Sequence, residues 1–400
     1  MSITSILPPF ILMTVFIFLA NQITNRVSFF ENLIKEKRKN PTVHLPIDGL
    51  RGFLALSVFF CHSVVAFLFL KTGIWDVAPS RFYSFLGPFG VLLFFFITGY
   101  LFWMKCLSVH RSFKILSFLK SRFRRIMPAY LASFCIILFI VGIKTHFTLQ
   151  VTVTTLTMQI FKWLILGVPF ADYPFINQYI DTGIIDAGVY WTLRFEILFY
   201  LILPLMAFFA KGLRLIPLLV FFGAIFFWDS HYQPSISNKW FSVLVDFSRY
   251  MTLGFSFGMI SAYLKKRIQA PYPFLLGPVG VIIAIGFLLL QFIFIHDVHQ
   301  DNYQYRQSLL LFIPFLLIVF GNTFFGILES SAALFLGSIS YSIYLFHGII
   351  LFIILGCLNL VYPVEALNPW CFWGLIGLIG IVTICVSAIS YRYIEDKWMK

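Results

Sequence analysis

The chain is short of charge. Only 11% of its 400 residues are Asp, Glu, Lys or Arg, against about 25% in a soluble domain. With 60% hydrophobic residues, that supply is too small to cover a water-facing surface. Acids are the scarcer sign, 16 against 29 Lys and Arg, for a net charge of +13. The six cysteines (61, 106, 135, 357, 371, 385) form no CxxC and no Cys/His ligand spacing. They read as small core residues and call for no metal. Also missing are a P-loop, a GxGxxG after a strand and a GxSxG elbow, so nothing points to a phosphate cradle or a serine-hydrolase turn. No repeat period, low-complexity tract or soluble domain interrupts the chain.

What the chain has is apolar runs. A helix needs roughly 20 such residues to cross the hydrocarbon core. Runs of that kind fall at about 6–20, 50–70, 85–104, 126–143, 191–210, 215–228, 244–263, 275–295, 307–325, 334–356 and 370–391. The first lacks a basic flank and a small-residue cleavage site, so it reads as a span rather than a removed signal. A further run, 154–168, is short and opens on threonines. The basic residues sit at 31–51, 105–125, Lys211/Arg214, Lys265/Lys266/Arg267 and the C-terminus from Arg392. All five groups fall on one side if 154–168 stays re-entrant or interfacial, as the positive-inside rule requires. The expected fold is an all-α polytopic transmembrane helical bundle of about eleven spans, with a cytoplasmic C-terminus. The excess of positive charge then reflects topology, and no nucleic-acid partner is expected.

Ionisable groups at membrane depth are costly and mark function by default. Asp48-Gly-Leu-Arg51-Gly opens the second span, and His62 follows eleven residues after Arg51, on the same face about 16 Å further along. A snorkelling anchor would also account for Arg51, and an interhelical hydrogen bond for His62. Arg122 and Arg125 share a face at i and i+3, and paired guanidinium forks suit phosphate oxygens. Trp191-Thr-Leu-Arg194-Phe-Glu196 opens another span, and Ser340, Tyr344 and His347 form a stripe on a further one. Two histidines and one glutamate thus reach similar depth, where an acid/base pair is one reading and a structural polar cluster its rival. His296, Asp297, His299 and Asp301 have only a loose metal-like spacing, with no third ligand fixed, and no metal is expected.

Together these stretches resemble the acyltransferase-3 family of integral membrane acyltransferases. The resemblance rests on Asp48-Gly-Leu-Arg51-Gly with His62, Phe95-Phe96-Ile-Thr98-Gly99-Tyr100 and Arg122-x-x-Arg125-Ile-x-Pro128. Trp191-Thr-Leu-x-x-Glu196-x-x-Phe199-Tyr200 and Gly337-x-x-Ser340-Tyr341-x-x-Tyr344-Leu-x-His347 complete it. Thr98 stands where that family often has Ser, and Arg194 where small or acidic residues are commoner. The resemblance implies a ten-span core, here 48–395, preceded by an N-terminal span and basic linker (1–47) and followed by a short tail (396–400). It implies a multi-pass protein of the bacterial inner membrane that acylates a surface glycan such as O-antigen or exopolysaccharide.

On that resemblance, acetyl-CoA is the expected donor substrate, held by Arg51, Arg122 and Arg125 through its phosphates. His62 is then a general base on a sugar hydroxyl or a transient acyl carrier, with Glu196 and His347 orienting it or binding the acceptor. Trp191, Tyr344 and Ser340 are the expected acceptor contacts, and Tyr173, Tyr179 and Trp240 offer further rings for stacking on sugars. The acceptor is expected to be a surface glycan or lipid-linked oligosaccharide. The alternative function is a polytopic transporter, for which intramembrane His, Glu and Arg are equally suited, although no matching halves with interrupted helices are evident.

Overall fold

The computed structural model describes residues 2–108, 115–168, 173–208, 239–268, 273–294 and 303–399, with positions 220, 223, 224 and 227. Among the described residues regular structure is helical, and the β-type contact is an isolated bridge between Ile176 and Tyr179. The helices begin with α1 (Leu7–Arg26), α2 (Ser28–Lys39), α3 (Leu45–Thr72), α4 (Arg81–Ser108) and α5 (Ile115–Lys144). Next come α6 (Val153–Leu164), α7 (Trp191–Phe208), α8 (Lys239–Tyr250) and α9 (Ser256–Arg267), with a π-helical turn at Met251–Phe255 between the last two. The remaining helices of eight residues or more are α10 (Pro278–Phe294), α11 (Tyr303–Phe320), α12 (Ser331–Ser338), α13 (Ser340–Val361) and α14 (Pro369–Ser390).

Six of the described helices are long and apolar enough to cross a bilayer: α1, α3, α4, α5, α13 and α14 with its continuation to Met399. Shorter apolar helices cover Pro278–Ile293 and Tyr305–Phe320. The chain is therefore an all-α multi-pass membrane protein. At 12 residues, α6 is only about 18 Å long, too short for a core of about 30 Å. Thr152 caps it by accepting from the Thr155 N–H. The apolar run 215–228, the Lys211/Arg214 turn and the group His296 to Asp301 lie outside the described residues or nearly so.

Three readings of the sequence change. The basic stretch 31–51 is not a linker: α2 buries Phe30 and Ile34 on one face, with Phe30 edge-on to Phe335 at 4.8 Å. The basic stretch 105–125 is helical from Ile115, so Arg122 and Arg125 are inside α5. The run 334–356 is two helices: α12, whose start Ser330 caps by accepting from the Ala333 N–H, and α13, with the break at Ile339.

The chain forms two compact units, one of Met1–Phe94 with Ile268–Tyr393 and one of Phe95–Arg267 with Ile394–Lys400. In the first, α3 runs parallel to the segment made by a 3-10 turn (Ile327–Glu329), α12 and α13, with almost no space between backbones. A Cβ on Gly337 would lie 1.8 Å from the Asp48 carbonyl oxygen, and one on Gly49 1.9 Å from that of Leu328. A Cβ on Gly52 would lie 2.9 Å from the Gly337 nitrogen. Close approach of this kind is how helices associate in lipid, where packing rather than hydrophobicity drives contact.

The N-terminal helix packs one side into this unit, with Phe16, Ala20 and Thr24 buried while Phe10 and Phe18 stay exposed. Phe16 is fully buried in a notch at Gly380, where a Cβ would come within 2.1 Å of its ring. Its ring lies 5.9 Å from that of Phe60 and 6.2 Å from that of Phe59. Tyr83 and Trp373 donate hydrogen bonds to the carbonyls of Ser5 and Ile3. The second unit repeats the glycine device: Cβ atoms on Gly99 and Gly258 would lie 2.2 Å and 2.0 Å from the carbonyl oxygens of Phe255 and Phe96.

Because backbone, not a flexible tip, faces Gly337, Gly337→Ala is expected to destabilise the protein by about 3 kcal/mol, the upper end for overpacking. Gly356, with nothing within 4 Å of its Cβ position, is the control: Gly356→Ala is expected to be neutral or stabilising. Thermal unfolding of both variants in detergent checks the pair.

Candidate active site

In the first unit His62 of α3 meets His347 of α13. His62 lies ten residues beyond Gly52, and His347 ten residues beyond Gly337. On one side this is α3 and on the other α12 continued, after the break at Ile339, by α13; in contact at those glycines they bring the imidazoles to the same level. His62 Nδ1 and His347 Nε2 are 2.8 Å apart, and the ring planes agree within 6°. The centroid separation of 5.2 Å fits an in-plane N–H···N bond.

The protons can be assigned from the far side of His347. Its Nδ1 is 2.9 Å from the carbonyl oxygen of Ile343, which can only accept, so Nδ1 carries the proton. In the neutral pair His347 Nε2 then holds a lone pair and accepts from His62 Nδ1–H. His62 Nε2 is left with a lone pair and, among the described residues, no hydrogen bond. His347 is fully buried, with Phe59 edge-on at 6.5 Å and Tyr344 at 6.1 Å. His62 is half-buried and touches Trp75, which folds back from beyond the end of α3 to 6.2 Å from the imidazole. Sequence reasoning did not single out Trp75; its signal was a glycine two residues earlier, the usual end of a helix.

At the other end of α3, Asp48 is shared between two cations. Lys37 of α2 donates to its carboxylate and, at 2.7 Å, to Ser338. Arg51 approaches Asp48 at 3.5 Å, both partly buried. Ser340, an expected acceptor contact, is fully buried and donates to the Gly337 carbonyl at 2.8 Å. That bond satisfies a carbonyl at the helix break. Tyr344 is buried between Phe94 and His347.

The second unit holds the other residues. Arg122 lies 4.9 Å over the Phe102 ring, and Phe102 packs edge-on to Tyr200 at 5.1 Å. Arg122 and Arg125 both act electrostatically on the Tyr200 hydroxyl, which donates to Glu196. The Arg122 guanidinium donates to the Ser121 hydroxyl at 3.2 Å, and that of Arg125 lies 3.3 Å from Met399 Sδ. Glu196 is engaged by Tyr200 within this unit, and the histidine pair is complete without it. Trp191 packs against Tyr250 at 5.2 Å and Phe195 at 5.8 Å. Of the outer rings, Tyr173 spends its hydroxyl on the Leu166 and Tyr190 carbonyls, and Tyr179 is partly exposed. The Trp240 side chain lies outside the described positions. Among the described residues no group of three metal-ligating side chains occurs.

Just before Trp191, Asp186 is 1% exposed, and among the described residues its Oδ2 has no hydrogen-bond partner. Ala187 and Gly188 follow in left-handed conformation, φ 58° and 70°, and the Gly188 N–H donates to Asp186 Oδ1 at 3.1 Å. Burial pushes the carboxyl up to about 7, against backbone hydrogen bonds from Gly188 and Tyr190 that pull it down.

Residues 45–392 match the family model for an acyltransferase domain, acyltransferase-3. The chain is also similar to the O-acetyltransferase OatA of Staphylococcus aureus, in strains NCTC 8325 / PS 47, COL and MRSA252 alike. Identity is 26% over 402 aligned positions, covering 91% of this chain but 58% of each relative. The chain thus spans less than two thirds of the relatives' length. No solved structure matches.

Asp186 gives a prediction of definite sign. Its folded value of about 7 exceeds the ordinary 3.8, so between these the folded state holds a proton that the unfolded state has lost. Stability should fall as pH rises through that window, by at most about 1.4 kcal/mol per pH unit, and level off above pH 7. Asp186→Asn should remove this slope. Unfolding midpoints of both proteins across the window check it.

Proposed function

Because the chain belongs to the acyltransferase-3 family, we propose that it is a membrane O-acyltransferase. It moves an acyl group, acetyl in the simplest case, from acyl-CoA to a hydroxyl of an extracytoplasmic surface glycan. The observation that carries the reading is the His62–His347 hydrogen bond with its far end tied to the Ile343 carbonyl. It holds His62 in the tautomer whose Nε2 is a base.

His62 Nε2 takes the proton of the sugar hydroxyl while its oxygen bonds to the thioester carbonyl carbon. The tetrahedral centre collapses, the carbon–sulfur bond breaks, and the departing thiolate takes the proton back from Nε2. His347 touches no reacting atom in this scheme. It is a positioning residue that accepts from Nδ1–H throughout and stabilises the imidazolium when it forms, as the carboxylate does in a Ser-His-Asp triad. Arg122 and Arg125 are the residues we assign to the donor's phosphates, since forked donors match phosphate oxygens. Arg51, already engaged with Asp48, contributes positive charge. The family assignment favours transfer over the transporter alternative. The bacterial inner membrane is the matching location, with lipopolysaccharide or another polysaccharide as the acceptor.

The test uses purified protein in liposomes, labelled acetyl-CoA and extracted surface glycan. His62→Ala is expected to lower transfer by about 10²–10⁴-fold, the usual worth of a general base. His347→Gln keeps an acceptor for Nδ1–H and should retain about tenfold more activity than His347→Leu, which leaves that donor unpaired. Transfer by His62→Ala at the wild-type rate would contradict the assignment.

A further inference from the structure

The base needs a substrate hydroxyl held in front of it, and the neighbourhood of His62 contains a surface suited to the rest of that substrate. Gly73, at φ 73°, ends α3 with its N–H on the Phe69 carbonyl at 2.8 Å. The Ile74 N–H is taken by the Thr72 hydroxyl at 3.2 Å. These two bonds reverse the chain, and Trp75 folds back along its own helix. Its indole packs edge-on to Phe69 at 5.8 Å and lies 6.2 Å from His62, inclined by 36°.

Among the described residues the rings against His62 are those of His347 and Trp75. The first takes Nδ1, as argued above. The second is half-buried, unlike the fully buried Trp103 and Trp163. Its indole N–H makes no hydrogen bond among the described residues. An indole offers a broad apolar face and one polar handle, the complement of a pyranose, whose axial C–H groups form an apolar face edged by hydroxyls. A membrane-interface tryptophan would serve equally well at the lip of any helix; this one is instead turned inward onto the base.

We propose that Trp75 is the acceptor-binding residue of the site: a pyranose ring stacks on its indole and thereby presents one hydroxyl to His62 Nε2. The inference rests on the acyl-transfer reading and adds the substrate class and the residue that recognises it. It also gives the α3–α4 connection a role for which the sequence offered Tyr173, Tyr179 and Trp240.

The experiment measures steady-state kinetics of protein in liposomes with acetyl-CoA and the extracted surface glycan as the varied substrates. Trp75→Ala and Trp75→Leu should each raise the glycan KM about tenfold, the loss of one stacking contact, while the acetyl-CoA KM stays within about twofold. Trp75→Phe and Trp75→Tyr, which keep a flat ring, should restore the glycan KM to within about threefold of wild type. Leucine keeps the apolar bulk without the flat face, so it separates stacking from anchoring. Unfolding midpoints of all four variants report folding independently. A wild type that transfers nothing would sink the acyl-transfer reading itself. An active wild type whose Trp75→Ala variant keeps its glycan KM, or loses only in turnover, would overturn the assignment of Trp75 alone.

Discussion

The histidine pair depends on the backbone contact between α3 and the segment from the Ile327–Glu329 turn through α12 to α13. Side chains larger than hydrogen at Gly49, Gly52 or Gly337 would collide with carbonyl or nitrogen atoms that cannot move independently of their helices. Those glycines set the separation, the parallel direction and the register together. Equal ten-residue intervals from Gly52 and Gly337 then convert a contact at one end of the unit into a hydrogen bond about 15 Å away. The surrounding contacts protect that register. Lys37 ties α2 to both Asp48 and Ser338, and Phe16 backs the Phe59 ring that lies against His347.

Chemically, the pair resolves a problem that a lone intramembrane histidine leaves open. A single imidazole has two tautomers, and only the hydrogen bond at one nitrogen decides what the other can do. Here the decision starts at the Ile343 carbonyl and passes through His347 to His62. Two neutral rings do the work done elsewhere by a carboxylate and a ring, without placing a second full charge at membrane depth, which would be costly. In the second unit the charges are arranged differently: the Tyr200 phenol donates to Glu196 and feels the positive charge of Arg122 and Arg125.

Much of this was legible in the chain. The scarcity of charge and the lengths of the apolar runs led to a multi-pass helical bundle, and α3, α4 and α14 lie where those runs predicted. His62 and His347 stood out because ionisable groups are rare inside spans. What the sequence concealed was the partner of each motif. The glycines of Asp48-Gly49-Leu-Arg51-Gly52 and of Gly337-x-x-Ser340 look like separate signatures, and only the fold shows that they are two halves of one contact. The amphipathic α2 was hidden by its charge, which made it resemble a linker. The break at Ile339 was hidden because both sides of it are apolar. Trp75 and Asp186 were hidden for another reason: each is placed by left-handed glycine turns outside the periodic segments, where hydrophobic pattern carries no information.

The central claim is the chain of tautomers, and nitrogen NMR of histidine-labelled protein in bilayers tests it most directly. Comparison with His62→Ala and His347→Ala assigns the two rings among the eight histidines. The account predicts that both rings carry their proton on Nδ1, that His62 Nε2 has the shift of an unprotonated nitrogen, and that His62 Nδ1 and His347 Nε2 share a coupling across the hydrogen bond. A protonated Nε2 on His62, or two rings with no coupling between them, would contradict it.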